Sequence, residues 1–493
     1  MNNIIRSIDK KLNNITMYRL ILYGLSALIL LSLIFAFTGV LSLSPVGLLL
    51  TLALVSLGGF LANQALAKIW RVPLNFESEI ITALILYFIL PPTDSVERGA
   101  LVFLAGVLAM ASKFFLVRRR AHIFNPAAFA AAALGLTGLL YASWWVGSSA
   151  LWPFVLLLGL LVVRKIRRFP MFLTFAGVAL LMVVLVAIAR QQSAGEAVSL
   201  AITSSPLIFL GTIMLTEPLT MPARRGQQII FAAIVGGLYA LHPSAGSFYV
   251  SPEIALLAGN LYVAVANPRQ RIKMTLKEVQ RISDKVANYV FTPDMPVQYK
   301  AGQYMEWTLP PKGADSRGNR RTFTIASSPT EETVQLGVKF YEPSSSFKKR
   351  LRELKPGQYL YAGQVAGDFT LPADKAEKLI FIAGGIGITP FRSMLKQLID
   401  SGETRDIILI YLLANAAEQA YRDVLDAAGK HGVKVRVITG AFSPELLSKA
   451  APDFASRHFY LSGPRAMVDG IRGQLTTKGV SRSRITSDYF SGY

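Results

Sequence analysis

The chain has 493 residues, of which 52% are hydrophobic, and its 51 Lys and Arg outnumber its 30 Asp and Glu to give a formal net charge of +21. The charge is uneven, because 26 of the first 268 residues are charged against 55 of the last 225, so the first part is typical of a membrane protein and the second of a soluble one. The lack of cysteine excludes disulfides, Cys-ligated zinc and iron–sulfur clusters.

Ten apolar segments fill the first part, which predicts a polytopic α-helical membrane domain over residues 1–268. They are 18–40, 45–66, 79–90, 99–117, 124–143, 150–163, 171–189, 206–216, 226–242 and 253–266. A perpendicular span needs about 20 residues, so the short segments must borrow flanking residues or be broken helices. Alternate loops form two sets, one with 16 Lys and Arg and one with only Arg98 and Arg190. This asymmetry predicts a multi-pass protein of the inner (plasma) membrane, in contact with lipid, with both termini cytoplasmic. It also explains the net charge without a nucleic-acid partner.

The third span of each half is short and ends at proline, in Leu90-Pro91-Pro92 and in Leu215-Thr216-Glu217-Pro218. Matching broken segments predict an internal repeat of five plus five spans, inverted because five is odd, with a ligand where the segments meet. Exposed N–H groups at a broken helix end suit a polar or anionic cofactor. The alternative is two short core helices that stop at proline.

The membrane part has only two histidines, His122 and His242. By the loop alternation they lie on opposite faces, so we expect no haem and no metal site. His122 is interpreted as a capping or headgroup-level residue.

The segment His122-Ile123-Phe124-Asn125-Pro126-Ala127 resembles the "HIFNPA" segment of a membrane flavoprotein family. That family includes the B subunit of the Na⁺-translocating NADH:quinone reductase and the D subunit of the Rnf complex. Met214–Thr220 and Ser78–Leu84 also resemble its motifs, so the resemblance covers about residues 70–268. It implies ten spans in an inverted repeat with bound flavin. The flavin site is then assigned to Thr82, His122, Asn125, Thr216 and Glu217, polar groups that are costly in an apolar setting unless they meet a ligand or each other.

The same family esterifies FMN to a threonine after the fifth span, whereas the corresponding Trp144–Ala150 has none. We therefore expect noncovalent FMN or riboflavin in the membrane domain.

After residue 269 the pattern becomes that of two soluble domains. Residues 269–372 predict a small antiparallel β-barrel, with strands at 274–279, 286–291, 304–309, 321–326, 334–340 and 359–363 and a helix at 348–354. Residues 373–493 predict a parallel, doubly wound α/β domain. Its strands are 378–383, 406–412, 434–439 and 458–462, and its helices are 390–400, 416–428, 444–451 and 464–478.

The loop Gly384-Gly385-Ile386-Gly387-Ile388-Thr389-Pro390 follows a strand and opens a helix, which favours a bound pyrophosphate. Earlier, Arg321-Thr322-Phe323-Thr324 ends a barrel strand. This second segment resembles the R-x-[YF]-[ST] motif of the ferredoxin–NAD(P)⁺ reductase family, and Leu461–Met467 resembles its C-G-P-x-x-M motif with Ser462 in place of cysteine. Together with Gly302-Gln303-Tyr304 and Gly367-Asp368-Phe369-Thr370, the resemblance spans about 272–493.

This second resemblance implies bound FAD and a site for NADH or NADPH. It gives Arg321 the FAD pyrophosphate, Phe323 the isoalloxazine ring and Thr324 a hydrogen bond near flavin N5. It places a phosphate at Ser345 and Ser346, and an aromatic Phe490 or Tyr493 against the flavin. The nucleotide is assigned to Gly384, Gly385, Gly387, Thr389, Pro390 and Gly463, and the catalytic residues to Thr324 and Ser462. The loop after Leu413 has no Arg or Lys before Arg422, which favours NADH.

We interpret the chain as an NAD(P)H oxidoreductase that passes electrons through FAD to a membrane flavin and on to a quinone or an external redox protein. A hydrocarbon core of about 30 Å requires at least one relay inside the membrane. Two alternatives stay open: a redox-driven ion translocator, with Glu77, Glu79, Glu217 and Glu253 as candidate carboxylates, or an anchor or transporter that senses redox state.

Overall fold

A computed structural model of the protein describes residues 15–70, 76–118, 121–245, 248–266, 271–309 and 319–490, together with Ile8 and Leu12. The chain divides into two compact units, Met1–Gln270 and Arg271–Tyr493. We call them the helical unit and the sheet unit. The proposed boundary within the sheet unit, at residue 372, stays a prediction.

Eleven helices make up most of the described part of the helical unit. They are α1 (Met17–Phe37), α2 (Pro45–Trp70), α3 (Phe76–Ile89), α4 (Val96–Phe115), α5 (Pro126–Leu136), α6 (Trp152–Ile166), α7 (Phe169–Ala189), α8 (Ala194–Thr203), α9 (Leu207–Met214), α10 (Arg225–Leu241) and α11 (Pro252–Ala266). Each of the ten predicted segments overlaps one of these helices. The additional helix, α8, begins after the Ser193 cap, in a stretch between two of the predicted apolar segments that includes Glu196 in its first turn.

Four of these helices, α1, α2, α4 and α7, are long and apolar enough to cross a membrane. Helices α8 and α9 meet at a bend of 59° and would make a fifth span if they act as one. This bend agrees with a broken eighth segment, and residues 210–214 of α9 form a π-helix. Helix α3, in contrast, is a continuous helix of 14 residues. The apolar helices are consistent with membrane association, and the count of ten spans stays a prediction.

The order of elements in the helical unit repeats. In the first half, α4 and α5 are joined by a two-stranded hairpin, β1 (Val117–Arg118) and β2 (Ala121–His122); in the second, α10 and α11 are joined by β3 (Ser244–Ala245) and β4 (Phe248–Tyr249). The pairs α2–α4 and α7–α10 pack through glycine in both halves. A Cβ at Gly106 would overlap the Val55 carbonyl oxygen, and one at Gly236 would lie 2.7 Å from the Phe175 carbonyl oxygen. Small residues allow such close helix packing.

The sheet unit begins with a six-stranded antiparallel sheet in the order β8-β7-β10-β5-β6-β9. Its strands are β5 (Arg271–Ser283), β6 (Val286–Pro293), β7 (Tyr304–Thr308), β8 (Arg320–Thr324), β9 (Val334–Lys339) and β10 (Tyr359–Ala366). One short helix, α12 (Ser346–Arg352), precedes β10 and starts two residues earlier than the sequence predicted. In the described residues β8 and β9 are the two edges of the sheet, so its closure into a barrel stays a prediction.

A five-stranded parallel sheet follows, in the order β13-β12-β11-β14-β15. Its strands are β11 (Leu379–Gly384), β12 (Ile407–Leu413), β13 (Lys434–Thr439), β14 (His458–Pro464) and β15 (Ile485–Phe490), and its helices are α13 (Thr389–Ser401), α14 (Arg422–Lys430), α15 (Pro444–Ala450) and α16 (Arg465–Thr477). Every residue of β11 and β12 is buried, as expected for central strands covered on both faces.

Two features of the parallel sheet differ from the sequence prediction. The helix expected over 416–428 is interrupted, because Tyr421 has a left-handed backbone (φ +59°) between the 3₁₀ turn Ala416–Glu418 and α14. The last strand, β15, was missed because its sequence, Ile-Thr-Ser-Asp-Tyr-Phe, carries too little apolar alternation to indicate a strand.

Candidate nucleotide and flavin sites

The candidate nucleotide site lies at the carboxyl ends of β11 and β14, where the order of the strands in the parallel sheet reverses. From β11 the chain goes to β12 and β13 on one side, and then returns to β14 and β15 on the other. Ligands of open α/β sheets bind at the carboxyl ends of the strands at such a switch point. Here Ala383 pairs with Ser462 across β11 and β14, so the two predicted nucleotide motifs emerge side by side.

The glycine-rich loop after β11 packs closely on the end of β14. A Cβ on Gly387 would overlap the Ser462 carbonyl, and a Cβ on Gly384 would overlap Met467. Gly385 has a left-handed backbone (φ +53°) and open space where its Cβ would be. Thr389 Oγ1 donates to the Ile386 carbonyl at 3.1 Å. The loop thus closes tightly on the protein side and leaves backbone open on the other, which is the shape that a pyrophosphate cradle needs.

Ser462 and Gly463 end β14 beside this loop. Ser462 is fully buried, and within the described residues its hydroxyl has no hydrogen-bond partner. Gly463 has φ +154°, and a Cβ there would lie 2.7 Å from Cε of Met467. A buried hydroxyl without a partner is uncommon in native proteins, so this hydroxyl is available to a ligand.

The predicted FAD residues gather at β8 and α12. Phe323 and Phe347 have ring centroids 5.8 Å apart, and the Arg321 guanidinium lies 5.6 Å from the Phe347 ring. Thr324 is 3% exposed, and its hydroxyl has no partner in the described part of the chain. Thr324 pairs with Tyr304 of β7, which connects it to the predicted Gly302-Gln303-Tyr304 segment.

The two serines at the start of α12 differ in role. Ser345 is buried and caps the helix, accepting from the Lys348 N–H at 3.3 Å. Ser346 is the first helical residue. Pro390 is the second residue of α13, where its missing N–H costs nothing.

The expected C-terminal aromatics are only partly described. Phe490 ends β15, and its backbone pairs with Pro464, two residues beyond Ser462. This places the backbone of Phe490 at the carboxyl edge of the sheet. Tyr493 lies outside the described residues.

A second candidate site is a narrow, partly open pocket in the helical unit, with a cavity volume of about 30 Å³. It brings together residues that the sequence assigned to one flavin site from three separate segments, Thr82 of α3, Asn125 before α5 and Glu217 after α9. Met17, Tyr18 and Ile21 of α1 complete the apolar wall, and the sequence had no motif that indicated them.

Glu217 is the centre of the polar contacts at this pocket. Its Oε2 accepts from Asn125 Nδ2 at 2.8 Å and from Thr220 Oγ1 at 3.2 Å, and its Oε1 lies 3.6 Å from His122 Nε2. Asn125 also caps α5 by accepting from the Ala128 N–H at 3.1 Å. His122 therefore reaches the predicted site through Glu217 and is not among the residues that line the pocket.

Thr216 is the exception among the predicted residues. It is fully buried, but its hydroxyl donates to the Thr212 carbonyl at 2.6 Å, and the residue is absent from the pocket lining. Lys113, which the sequence counted only as a loop charge, instead donates to Ser78 and to Thr82 Oγ1 at 3.0 Å. It fixes the first turn of α3 beside the pocket.

Ion pairs lie near the amino ends of the strands of the parallel sheet, at the opposite end from the nucleotide loop. Asp453 accepts from Arg457 Nε at 2.8 Å, and this hydrogen bond holds the pKa of Asp453 below its usual value. Glu403 has its pKa lowered first by its hydrogen bond with Lys375 and then by Arg405. Within the described residues no three His, Asp or Glu side chains lie together in an arrangement that could hold a metal ion.

Comparison with known proteins identifies the character of the C-terminal part. Residues 381–473 match the family model described as the oxidoreductase NAD-binding domain. The chain is 27% identical to the NADH oxidoreductase HCR of Escherichia coli over 190 residues, which cover 37% of this chain and 58% of that one. It is 25% identical to a flavohemoprotein of Bacillus cereus over 243 residues, covering 44% and 60%. The solved FAD/NAD-binding domain of a nitric oxide dioxygenase from Vibrio cholerae aligns with 44% of this chain at 20% identity and a TM-score of 0.41, over 98% of its own length.

The C-terminal part is thus similar in sequence to reductases with an NAD-binding domain, and the chain spans about three fifths of the length of the two curated relatives. The resemblance of the helical unit to membrane flavoproteins is not represented among these relatives and stays a prediction. The expected lack of haem also stays a prediction, since one relative is named a flavohemoprotein.

Proposed function

We propose that the protein is a flavin-dependent NAD(P)H oxidoreductase of the membrane, which passes electrons from cytoplasmic NAD(P)H through FAD to a flavin in the helical unit and on to a quinone or an external acceptor. The observation that carries the first step is the switch-point site, where the glycine loop of β11 closes on Ser462 of β14. The match of residues 381–473 to an NAD-binding domain supports it.

The fit of FAD and NAD(P)H rests on the two buried hydroxyls without partners, Thr324 and Ser462. Bound FAD would supply a two-electron hydride acceptor for the dihydronicotinamide of NAD(P)H. Thr324 would hold the flavin edge and Ser462 would orient the nicotinamide. Gly384, Gly385 and Gly387 would bind the pyrophosphate through backbone N–H groups, and Arg321 would pair with the FAD pyrophosphate.

The membrane step rests on the pocket between α1, α3, α5 and α9. Its lining combines an apolar wall with Thr82, Asn125 and Glu217, and these polar groups would bind the polar edge of a flavin ring once the helices around the narrow pocket move apart to admit it. Noncovalent FMN or riboflavin is the proposed occupant, since the loop Trp144–Ala150 has no threonine for attachment.

One experiment separates the two steps. In the full chain, Arg321→Ala should weaken FAD binding about 10- to 100-fold, because a charge-assisted pair of about 1.5–3 kcal/mol is lost, and NADH–ferricyanide activity should fall with it. Asn125→Ala should keep NADH–ferricyanide activity and lose quinone reduction together with the second flavin. Thr137→Ala, which removes a side-chain hydrogen bond at the other end of α5, is the matched control and should keep both activities. Full FAD retention in Arg321→Ala, or quinone reduction in Asn125→Ala, would contradict the proposal.

Buried carboxylates favour redox-driven ion transport as a second candidate. Glu79 is 5% exposed and accepts from Asn63, and Glu253 is 4% exposed and accepts from Trp144 Nε1 at 2.8 Å. Ionisable groups at such positions are often part of an ion pathway. Addition of NADH to sealed proteoliposomes should then drive ²²Na⁺ or proton uptake that Glu79→Gln abolishes; electron transfer without any ion movement would exclude this candidate.

A further inference from the structure

The two sheets of the sheet unit touch at a point where there is no room for a methyl group. Gly337 lies on the edge strand β9. A Cβ there would lie 2.5 Å from Tyr421 Oη, 2.7 Å from Thr389 Cγ2 and 3.2 Å from Ile386 Cδ1. Ile386 and Thr389 belong to the glycine-rich nucleotide loop, so the antiparallel sheet meets this loop directly at Gly337.

Tyr421 closes the same contact by a hydrogen bond. Its hydroxyl donates to Asn288 Oδ1 at 3.0 Å, and Asn288 is the cross-strand partner of Gly337. The amide of Asn288 is fully used, because Nδ2 donates to Gln280 and Gln335 at 3.0 Å each. Asn288 is only 1% exposed, so the orientation of its oxygen toward Tyr421 is fixed.

This placement of Tyr421 requires a left-handed backbone conformation. A tyrosine at φ +59° is strained relative to a right-handed helix, and the strain interrupts the helix that the sequence predicts over 416–428. Such outliers persist where the surrounding structure holds them and often mark functional positions.

A chain of polar contacts returns from Asn288 to the nucleotide helix α13. Gln335 Nε2 donates to Glu331 Oε1 at 3.2 Å, and Glu331 forms a two-pronged ion pair with Arg392 of α13. Arg392 is 5% exposed and lies 5.7 Å from the Tyr421 ring. The contacts therefore form a closed ring, which we call the seam, with the members Tyr421, Asn288, Gln335, Glu331 and Arg392. Gly337 lies beside it, paired with Asn288 and against Tyr421.

We propose that the seam sets the distance between the flavin held by the antiparallel sheet and the nicotinamide held by the nucleotide loop, with Gly337 and Tyr421 as positioning residues for the transfer. This inference rests on the proposed function, because it assumes that both ligands bind where their motifs lie. Transfer needs the reacting atoms about 3–3.5 Å apart, and an error of 1 Å can cost about 100-fold. A methyl at Gly337 must push either Tyr421 or the loop that holds Thr389 away from β9.

The test compares Gly337→Ala, Tyr421→Phe and the double variant in the full chain, with Gly429→Ala as control. Gly429 is an exposed residue of α14 with open space around its Cβ position. FAD content, the limiting rate and apparent Kd for anaerobic flavin reduction by NADH, and hydrogen–deuterium exchange of residues 384–390 are measured for each variant.

We expect wild-type FAD content in all variants, with a limiting rate lowered at least about 10-fold in Gly337→Ala and several-fold in Tyr421→Phe. The apparent Kd for NADH should change less than the rate, and exchange of residues 384–390 should rise. The double variant should lose less than the product of the single losses, because Tyr421→Phe removes the atom nearest the new methyl. Gly429→Ala should behave as wild type.

Limiting rates within about twofold of wild type in both single variants, with unchanged exchange, would overturn the inference. So would a rate that falls only in proportion to lost FAD, which is the signature of a purely structural role. Tyr421→Phe removes one oxygen and adds nothing, so it keeps the test decisive if Gly337→Ala fails to fold. If the wild-type protein contains no FAD, or contains FAD that NADH does not reduce, the proposed function itself is overturned.

Discussion

The buried hydroxyls of Thr324 and Ser462 have no hydrogen-bond partner in the described part of the chain, a property that they share with other buried polar groups such as Trp307 Nε1 and Ser251 Oγ. Leaving a buried polar group unpaired costs about 1–3 kcal/mol. Such a cost is expected at a site whose partner arrives with a ligand. Short motifs in the sequence indicate both residues, and the structure adds that both hydroxyls are buried and without a partner within the described residues.

Ser462→Ala separates a binding role from a structural one. The variant removes an unpaired hydroxyl, so its thermal stability without NAD(P)H should be unchanged or slightly higher. Flavin reduction by NADH should slow about tenfold, which corresponds to one lost hydrogen bond of about 1.4 kcal/mol. Stopped-flow reduction and thermal unfolding of the same preparation provide both values. A loss of stability with an unchanged rate would assign Ser462 to the core alone.

Other residues of the candidate sites carry no motif. Tyr421 donates to Asn288, which is 133 positions away, and Lys113 donates to Thr82, which is 31 positions away; only the fold brings these partners together. Thr216 shows the reverse case, because its motif is present but its hydroxyl is satisfied by its own helix. Residue type and spacing predict which groups are available, and they do not predict which of them are already paired.

At the scale of elements, the sequence predicts strands and helices well where apolar periodicity is strong. Strands β11 and β12 are uninterrupted apolar runs, and both were predicted to within one residue at each end. Strand β15 and the hairpins β1–β2 and β3–β4 were missed. They have only two to six residues each, and backbone pairing with neighbours defines them more than their side chains do.

The packing of α2 on α4 gives a prediction at this scale. Gly106→Ala should lower the free energy of unfolding of the helical unit by about 1–3 kcal/mol, the usual cost of overpacking, because the new Cβ overlaps the backbone of Val55. Its melting temperature should fall accordingly. Gly177→Ala, on α7 with open space at its Cβ position, should have no such cost. Equal melting temperatures for the two variants would contradict the prediction that the packing of α2 on α4 leaves no room for a methyl group at residue 106.

The ion pairs near the amino ends of the parallel strands predict that the stability of the sheet unit falls in acid. The folded pKa values of Asp453 and Glu403 lie below those of the unfolded chain, so the unfolded state binds more protons as the pH falls. Their contribution to stability is complete above about pH 5 and is lost as the pH falls below about 4. Asp453→Asn should make FAD release less dependent on pH in this window, whereas Asp426→Asn, at an exposed position of α14, should not. Identical pH profiles for wild type and Asp453→Asn would refute this.

At the scale of the whole molecule, the uneven charge of the sequence predicts two parts, and the chain does divide near residue 270 into a helical unit and a sheet unit. The coarse reductase character of the C-terminal part follows from its motifs and from the comparisons. The number of spans and the membrane flavin depend on short helices such as α5 and α9. Their length alone does not distinguish a broken span from a buried helix.

The central claim is that electrons from NAD(P)H reach a second flavin beyond FAD. Cofactor analysis of the purified full-length protein, before and after acid precipitation and with an anaerobic NADH titration, tests it most directly. We predict FAD plus at least one further flavin per chain, all released by acid, all reduced by NADH, and no Soret band. A protein that contains FAD alone, or one with stoichiometric haem, would contradict the account.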